Sequence, residues 1–202
     1  MIQKNEEYLL LRKALEQIAT FGTSPSDASH LVDVGTDAFL SYYDKEIIKD
    51  MISKGGATCK FIEGAYGSGK THILQILREI SFKNKMAVAF TDLSQALSLS
   101  NWKLITEYIL MNIEIEINGK IIKSLPEILV LLGKNLPSKN IEVLKKDNLP
   151  CSSFKNAILY ALKRDSLNDY SWNLLKQYLL GQKTSSVAMR DNGLIGIKSN
   201  LT

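Results

Sequence analysis

The residues best equipped for chemistry form one run, Phe61-Ile62-Glu63-Gly64-Ala65-Tyr66-Gly67-Ser68-Gly69-Lys70-Thr71. From Gly64 to Thr71 it fits G-x-x-x-x-G-K-[ST] at every position, the pattern of a loop that wraps phosphates. A triphosphate is densely anionic, so its site needs backbone N–H groups aimed inward, and so tight a turn tolerates few Cβ atoms. Glycines at 64, 67 and 69 meet that need. The Lys70 ammonium can neutralise the outer phosphates, and the Thr71 hydroxyl can take one position on an octahedral Mg²⁺. The candidate phosphate-binding residues are therefore Gly64, Ala65, Tyr66, Gly67, Ser68, Gly69, Lys70 and Thr71, with Thr71 also a metal ligand. Such a loop binds phosphates and does not by itself activate water.

A phosphate loop must be held between a strand and a helix. Ala57 to Glu63 reads as the strand. Lys70 to about Asn84 reads as the helix, with Ile73, Leu74, Ile76, Leu77 and Ile80 on its packing face. Met86-Ala87-Val88-Ala89-Phe90-Thr91 is nearly unbroken in its apolar character, as expected of a strand covered on both faces. Strand, loop, helix and parallel strand make a βαβ unit, which predicts an α/β fold with its ligand at the strands' carboxyl ends.

At 202 residues the chain can bury one sizeable core, or one core and a small satellite. A hydrophobic fraction of 45% and a charged fraction of 23% argue against disorder and against a fibrous repeat. The net charge of +4 is mild and contains no dense basic run, so DNA is a permitted partner that the charge does not indicate. Cys59 and Cys151 lie far apart with no second Cys or His at metal spacing, and read as reduced packing residues of a cytoplasmic protein. Glu6 and Glu7 stand where a signal peptide would be basic, and no apolar run is long enough to span a bilayer.

Upstream of the loop, Leu9, Leu11, Ala14, Leu15, Ile18 and Ala19 mark an amphipathic helix from about Glu6 to Phe21, ended by Gly22. Leu31-Val32-Asp33-Val34-Gly35 reads as a short extended piece. Asp37 is placed to cap a helix from Ala38 to Lys54, with Phe39, Tyr42, Tyr43, Ile47, Ile48, Met51 and Ile52 as its face. Downstream, Asn101 caps a helix carrying Trp102, Ile105 and Tyr108. Glu114 to Lys120 then alternates like a strand entering a turn, unless the helix runs on to Ile117. Beyond Ser124 helices are predicted over 125–132, 154–164 and 170–180, capped by Ser124, by Ser152 or Ser153, and by Asp169. The tail from Gln182 reads as loop, with a short strand at Leu194 to Ile197. The resulting divisions are N-terminal helices over 1–56, a phosphate-loop core over 57–97, a helical lid or insertion over 98–181, and a tail over 182–202.

A nucleotide hydrolase also needs an apolar strand ending in Asp, often followed by Glu. Asp92 follows an apolar strand, but that strand comes directly after the phosphate-loop helix and no acid follows; a strand-end polar residue or helix cap explains Asp92 as well as a metal role does. Ile128 to Leu132 is apolar, yet Gly133 and Lys134 stand where acids would be needed. No catalytic residue is assigned. His72 reads as making a helix-surface or inter-element hydrogen bond, and His30 has no partner in the sequence.

Several segments in order, Leu11-Arg12-Lys13-Ala14-Leu15, Gly22-Thr23-Ser24-Pro25, Val32-Asp33-Val34-Gly35, the phosphate loop and Thr91-Asp92-Leu93, resemble the ATP-binding proteins of bacteriophage-exclusion (BREX) defence systems. The resemblance can be traced through Leu179-Leu180-Gly181 to Gly193-Leu194-Ile195-Gly196-Ile197. It implies an AAA+-like P-loop ATPase related to origin-recognition ATPases, with a partial parallel sheet flanked by helices. It implies ATP and Mg²⁺ as ligands, places Val34 and Gly35 in an adenine pocket, and puts Thr36 where origin-type relatives usually carry Arg. It implies other defence proteins as partners and permits an oligomer, with no membrane partner. The acids of the Walker B strand would lie beyond Thr202, which makes the chain an amino-terminal portion of a longer ATPase or a truncated relative. Outside that resemblance two readings compete: a P-loop kinase, weakened by the scarcity of arginine after Thr71 although Arg164 or Arg190 could serve, and a binding-only adaptor that holds ATP without turnover.

Overall fold

The computed structural model describes residues 2–22, 28–91, 100–146 and 151–198. They mix helices with one small sheet and divide into two compact units, Met1–Met86 and Ala87–Thr202.

The first unit is helical. Helix α1, Ile2–Phe21, ends where Gly22 N–H donates to Ile18 O. It packs through the buried Ala14, whereas Tyr8, Leu9, Leu15 and Phe21 remain exposed, so its apolar stripe is only partly used. The segment expected to be extended near Leu31 begins instead as a 3₁₀ turn, Ser29–Val32, and becomes extended at Asp33. Helix α2, Asp37–Tyr42, continues as a π-helical stretch over Tyr43–Met51 and a closing 3₁₀ turn over Ile52–Lys54. Thr36, not Asp37, occupies its cap position; the Thr36 hydroxyl donates to Asp33 Oδ2 and makes no capping bond to the helix. Of the expected packing face, Ile47 and Ile48 are buried, each worth roughly 1.5–3 kcal/mol of apolar transfer. Helix α3, Lys70–Lys83, lays Ile76 and Phe82 inward against the 29–32 turn and the π-helical stretch. Asn84 closes it, its amide donating both to Ile80 O and to Asp44.

The expected parallel sheet is not formed. Residues 56–65 adopt no regular element, and Phe61, central to the expected strand, is 93% exposed. A parallel strand must be apolar on both faces and covered on both. Thr58, Lys60 and Glu63 interrupt this run, and only Ile62 in it is half-buried. The sheet that does form lies in the second unit and is wholly antiparallel. It contains β1 (Val88–Ala89), β2 (Ile113–Ile117) and β3 (Lys120–Lys123) in that order. Its register is set by the two-residue turn Asn118-Gly119, both at positive φ, which joins Ile117 to its partner Lys120. Such a turn can connect only antiparallel neighbours. Val88 then pairs with Glu114, so the apolar run after α3 supplies an edge strand of a hairpin and not the second half of a βαβ unit.

The rest of the second unit is helical: α4 (Trp102–Asn112), α5 (Leu125–Asn135), α6 (Ser138–Lys146), α7 (Ser152–Ala161), α8 (Asp169–Leu179) and α9 (Ser186–Asp191). The Asn101 side chain caps α4 as expected, accepting from Leu104 N–H at 3.1 Å. Ser124 stands at the cap position of α5 as expected but makes no capping side-chain bond, whereas Cys151 precedes α7, and Asn168, not Asp169, accepts from Ser171 N–H at the start of α8. Ala157, Ala161, Leu175, Tyr178, Leu179, Met189 and Leu194 make the core. The tail joins it through α9, capped by Ser185, and through Leu194 and Ile197, where a loop with a short strand was expected. Cys151 is half-buried but Cys59 is exposed, so only the former can pack. Among the described residues no helix is long and apolar enough to cross a membrane.

Candidate nucleotide-phosphate site

The loop from Gly64 to Gly69 leads directly into α3. Gly67 and Gly69 have φ of +78° and +86°, in the left-handed region that side-chain-bearing residues rarely adopt. At Gly64 the constraint is space: a Cβ there would lie 2.5 Å from Ser68 Oγ. Ser68 N–H donates to Ala65 O at 3.2 Å, closing the turn, and Ile73 N–H donates to Gly69 O at 3.0 Å, beginning the helix. Gly69 offers no capping side chain, which leaves the helix terminus, with its positive dipole end, facing the loop. Lys70 Nζ folds back over the loop and donates to Gly64 O at 2.8 Å and Ala65 O at 2.7 Å. Tyr66 is fully exposed, and Thr71, one residue into α3, is exposed as well.

A second segment is tied to this helix end. Asp33 Oδ1 lies 3.4 Å from His72 Nε2, long for a hydrogen bond, and makes no hydrogen bond of its own among the described residues. Val34 and Gly35 follow; Val34 is 90% exposed and Gly35 has φ +81°. Seven residues after His72 along α3, Glu79 accepts from Ser29 N–H at 2.9 Å and lies 2.6 Å from His30 Nδ1. Where a helix-surface or inter-element hydrogen bond was expected of His72, it makes an inter-element contact with Asp33 that is longer than an ordinary hydrogen bond, and His30 has a partner 49 residues away. Sequence spacing carried no signal for either pair, because each joins elements far apart in the chain. Asp92 lies outside the described residues.

Among the described residues no three His, Cys, Asp or Glu side chains cluster as a metal site. The loop's chemistry is instead that of backbone N–H donors, one ammonium and one hydroxyl. No curated protein and no solved structure matches the chain. A family model described as BREX system ATP-binding protein BrxC/D matches residues 12–129, more than half of the chain and inclusive of the loop, the 33–36 segment and α3. The chain belongs to the family of BREX system ATP-binding proteins BrxC/D.

Proposed function

We propose that this chain is an ATP-binding P-loop module of an AAA+-like machine in bacterial antiphage defence, whose nucleotide state controls its association with other defence proteins or DNA. The observation that carries the reading is the loop itself. Its glycines stand where a Cβ would strain the backbone or strike Ser68, and its lysine already reaches over the loop to hydrogen-bond acceptors. ATP fits these residues: Gly64 to Gly69 would present N–H groups to the phosphates, and Lys70 would neutralise them. Mg²⁺ fits through the Thr71 hydroxyl, the remaining positions falling to phosphate oxygens and water, since this ion needs few protein ligands. Val34 and Gly35 serve as the adenine-side residues. Bound nucleotide supplies the transferable phosphoryl group; the chain's own residues bind and orient it, and no base for hydrolysis is assigned.

Calorimetric titration of the chain with ATP, with Mg²⁺ and with EDTA, tests this. Saturable one-site binding that weakens without Mg²⁺ is expected. Failure of ATP to bind under either condition overturns the reading. Phosphate release measured alongside, with and without DNA, separates a hydrolase from a holder of nucleotide.

A further inference from the structure

The chain has two histidines, and both contact acids across the same pair of elements. His30, in the 3₁₀ turn, meets Glu79 on α3; His72, on α3, meets Asp33 just past the turn. His72 and Glu79 are seven residues apart, two helical turns, and therefore share one face of α3. The two carboxylates are nearly buried, with side-chain exposures of 10% for Asp33 and 11% for Glu79, so their contacts resist screening. Asp33 also accepts from the Thr36 hydroxyl through its second oxygen. Val34 and Gly35 thus span a short loop pinned at both ends, and the pin reaches α3 at the residue directly after Thr71.

We infer that Asp33 and His72 are positioning residues that hold the 33–36 segment as the nucleoside-side wall of the site, so that they govern affinity for the base end of the ligand and not for its phosphates. The inference rests on the ATP-binding reading above. The 33–36 segment is tied by a side-chain contact to the first turn of α3, next to the residues 64–71 on which a triphosphate would be held, and so borders that site. Val34 presents an exposed apolar surface suited to one face of a purine ring. A wall fixed before binding spares the ligand the cost of ordering it. The phosphates make no use of it, since their donors are the loop N–H groups and Lys70.

The test compares ATP with inorganic tripolyphosphate, which has phosphates and no nucleoside, by calorimetry on the full chain. The variants are His72→Ala, His72→Gln, Asp33→Ala and the double alanine, each checked by thermal melting. His72→Ala should weaken ATP roughly tenfold and tripolyphosphate less than about twofold. His72→Gln, whose amide nitrogen reaches near the position of Nε2, should retain most ATP affinity, and the double variant should be no weaker than either single one. If one alanine variant does not fold, the other and His72→Gln carry the comparison. Equal losses for both ligands, or unchanged ATP affinity in a folded alanine variant, overturn the inference. Wild-type protein that binds the two ligands equally also overturns it while leaving the phosphate-loop reading intact; wild-type protein that binds neither removes that reading as well.

Discussion

Replacing Lys70 by alanine separates holding a ligand from holding the fold. In the described loop the ammonium is engaged by two carbonyls, Gly64 O at 2.8 Å and Ala65 O at 2.7 Å, both on exposed residues. Water can replace the ammonium at those oxygens, so the variant should lose less than about 1 kcal/mol of folding stability. With a triphosphate bound the same group faces full negative charge. At about 4 Å and an effective dielectric of about 20, one such pair is worth about 4 kcal/mol. Giving up the two carbonyl bonds offsets about 1–2 kcal/mol of this, leaving roughly 2–3 kcal/mol, or a 30- to 150-fold loss of affinity. Calorimetric titration of wild-type and Lys70→Ala protein with Mg²⁺ and ATP measures the ratio, and a thermal melt without ligand measures the fold. A ratio below about threefold, with saturable wild-type binding, would refute the claim that the ammonium meets the phosphates. A melting temperature lowered by more than about 5 °C would show instead that Lys70 serves the fold.

Four further outcomes follow from the geometry. Gly64→Ala should weaken ATP several-fold by forcing Ser68 Oγ aside, and Gly64→Ala/Ser68→Ala should recover most of it in the same titration. Gly133→Ala should destabilise the second unit by about 1–3 kcal/mol in urea unfolding, because the new Cβ would stand 2.0 Å from Leu162 O, a backbone atom that cannot swing away. The hydrogen bonds from Lys49 and Asn84 hold the Asp44 carboxyl below its ordinary range. Its stabilisation is present above the unfolded value near pH 4 and is lost as pH falls through the depressed one, so Asn84→Ala should move the acid limb of a stability-pH curve upward. Burial pushes the Tyr178 phenol above its ordinary range, with the charge of Cys151 adding to it and the Ser153 hydroxyl weakly opposing. That stabilisation is complete below about pH 10 and lost as pH rises through the raised value, so Tyr178→Phe should flatten the alkaline limb.

What could be read from the residues was what is decided locally. The loop and the start of α3 were legible because Gly67, Gly69 and Lys70 act within a few positions of one another. The Asn118-Gly119 hairpin was half-legible: alternation from Glu114 announced a strand, while a helical continuation to Ile117 fitted the same residues. The direction of the sheet was not legible, since Met86 to Thr91 is equally apolar whether it runs beside a parallel neighbour or pairs with Ile113 and Glu114. The tail misled for a related reason. Leu194-Ile195-Gly196-Ile197 is an apolar run short enough for a strand, but Leu194 and Ile197 are buried in the helical core while Ile195 is exposed. Both histidine contacts depend on the tertiary approach of the 29–33 turn to α3, for which a motif has no register.

The two acid–histidine contacts on α3 have opposite polarity. Along the turn the order is base then acid, His30 then Asp33; along the facing side of α3, from its carboxyl end, it is acid then base, Glu79 then His72. The turn therefore runs against the helix direction. If it were reversed, His30 would face His72 and Asp33 would face Glu79, two like-charged or uncompensated meetings in place of two favourable ones. The four side chains act as a directional key: they reward one orientation of the 29–33 turn on α3 and penalise its mirror sense, a discrimination that apolar packing of the same surfaces would not supply.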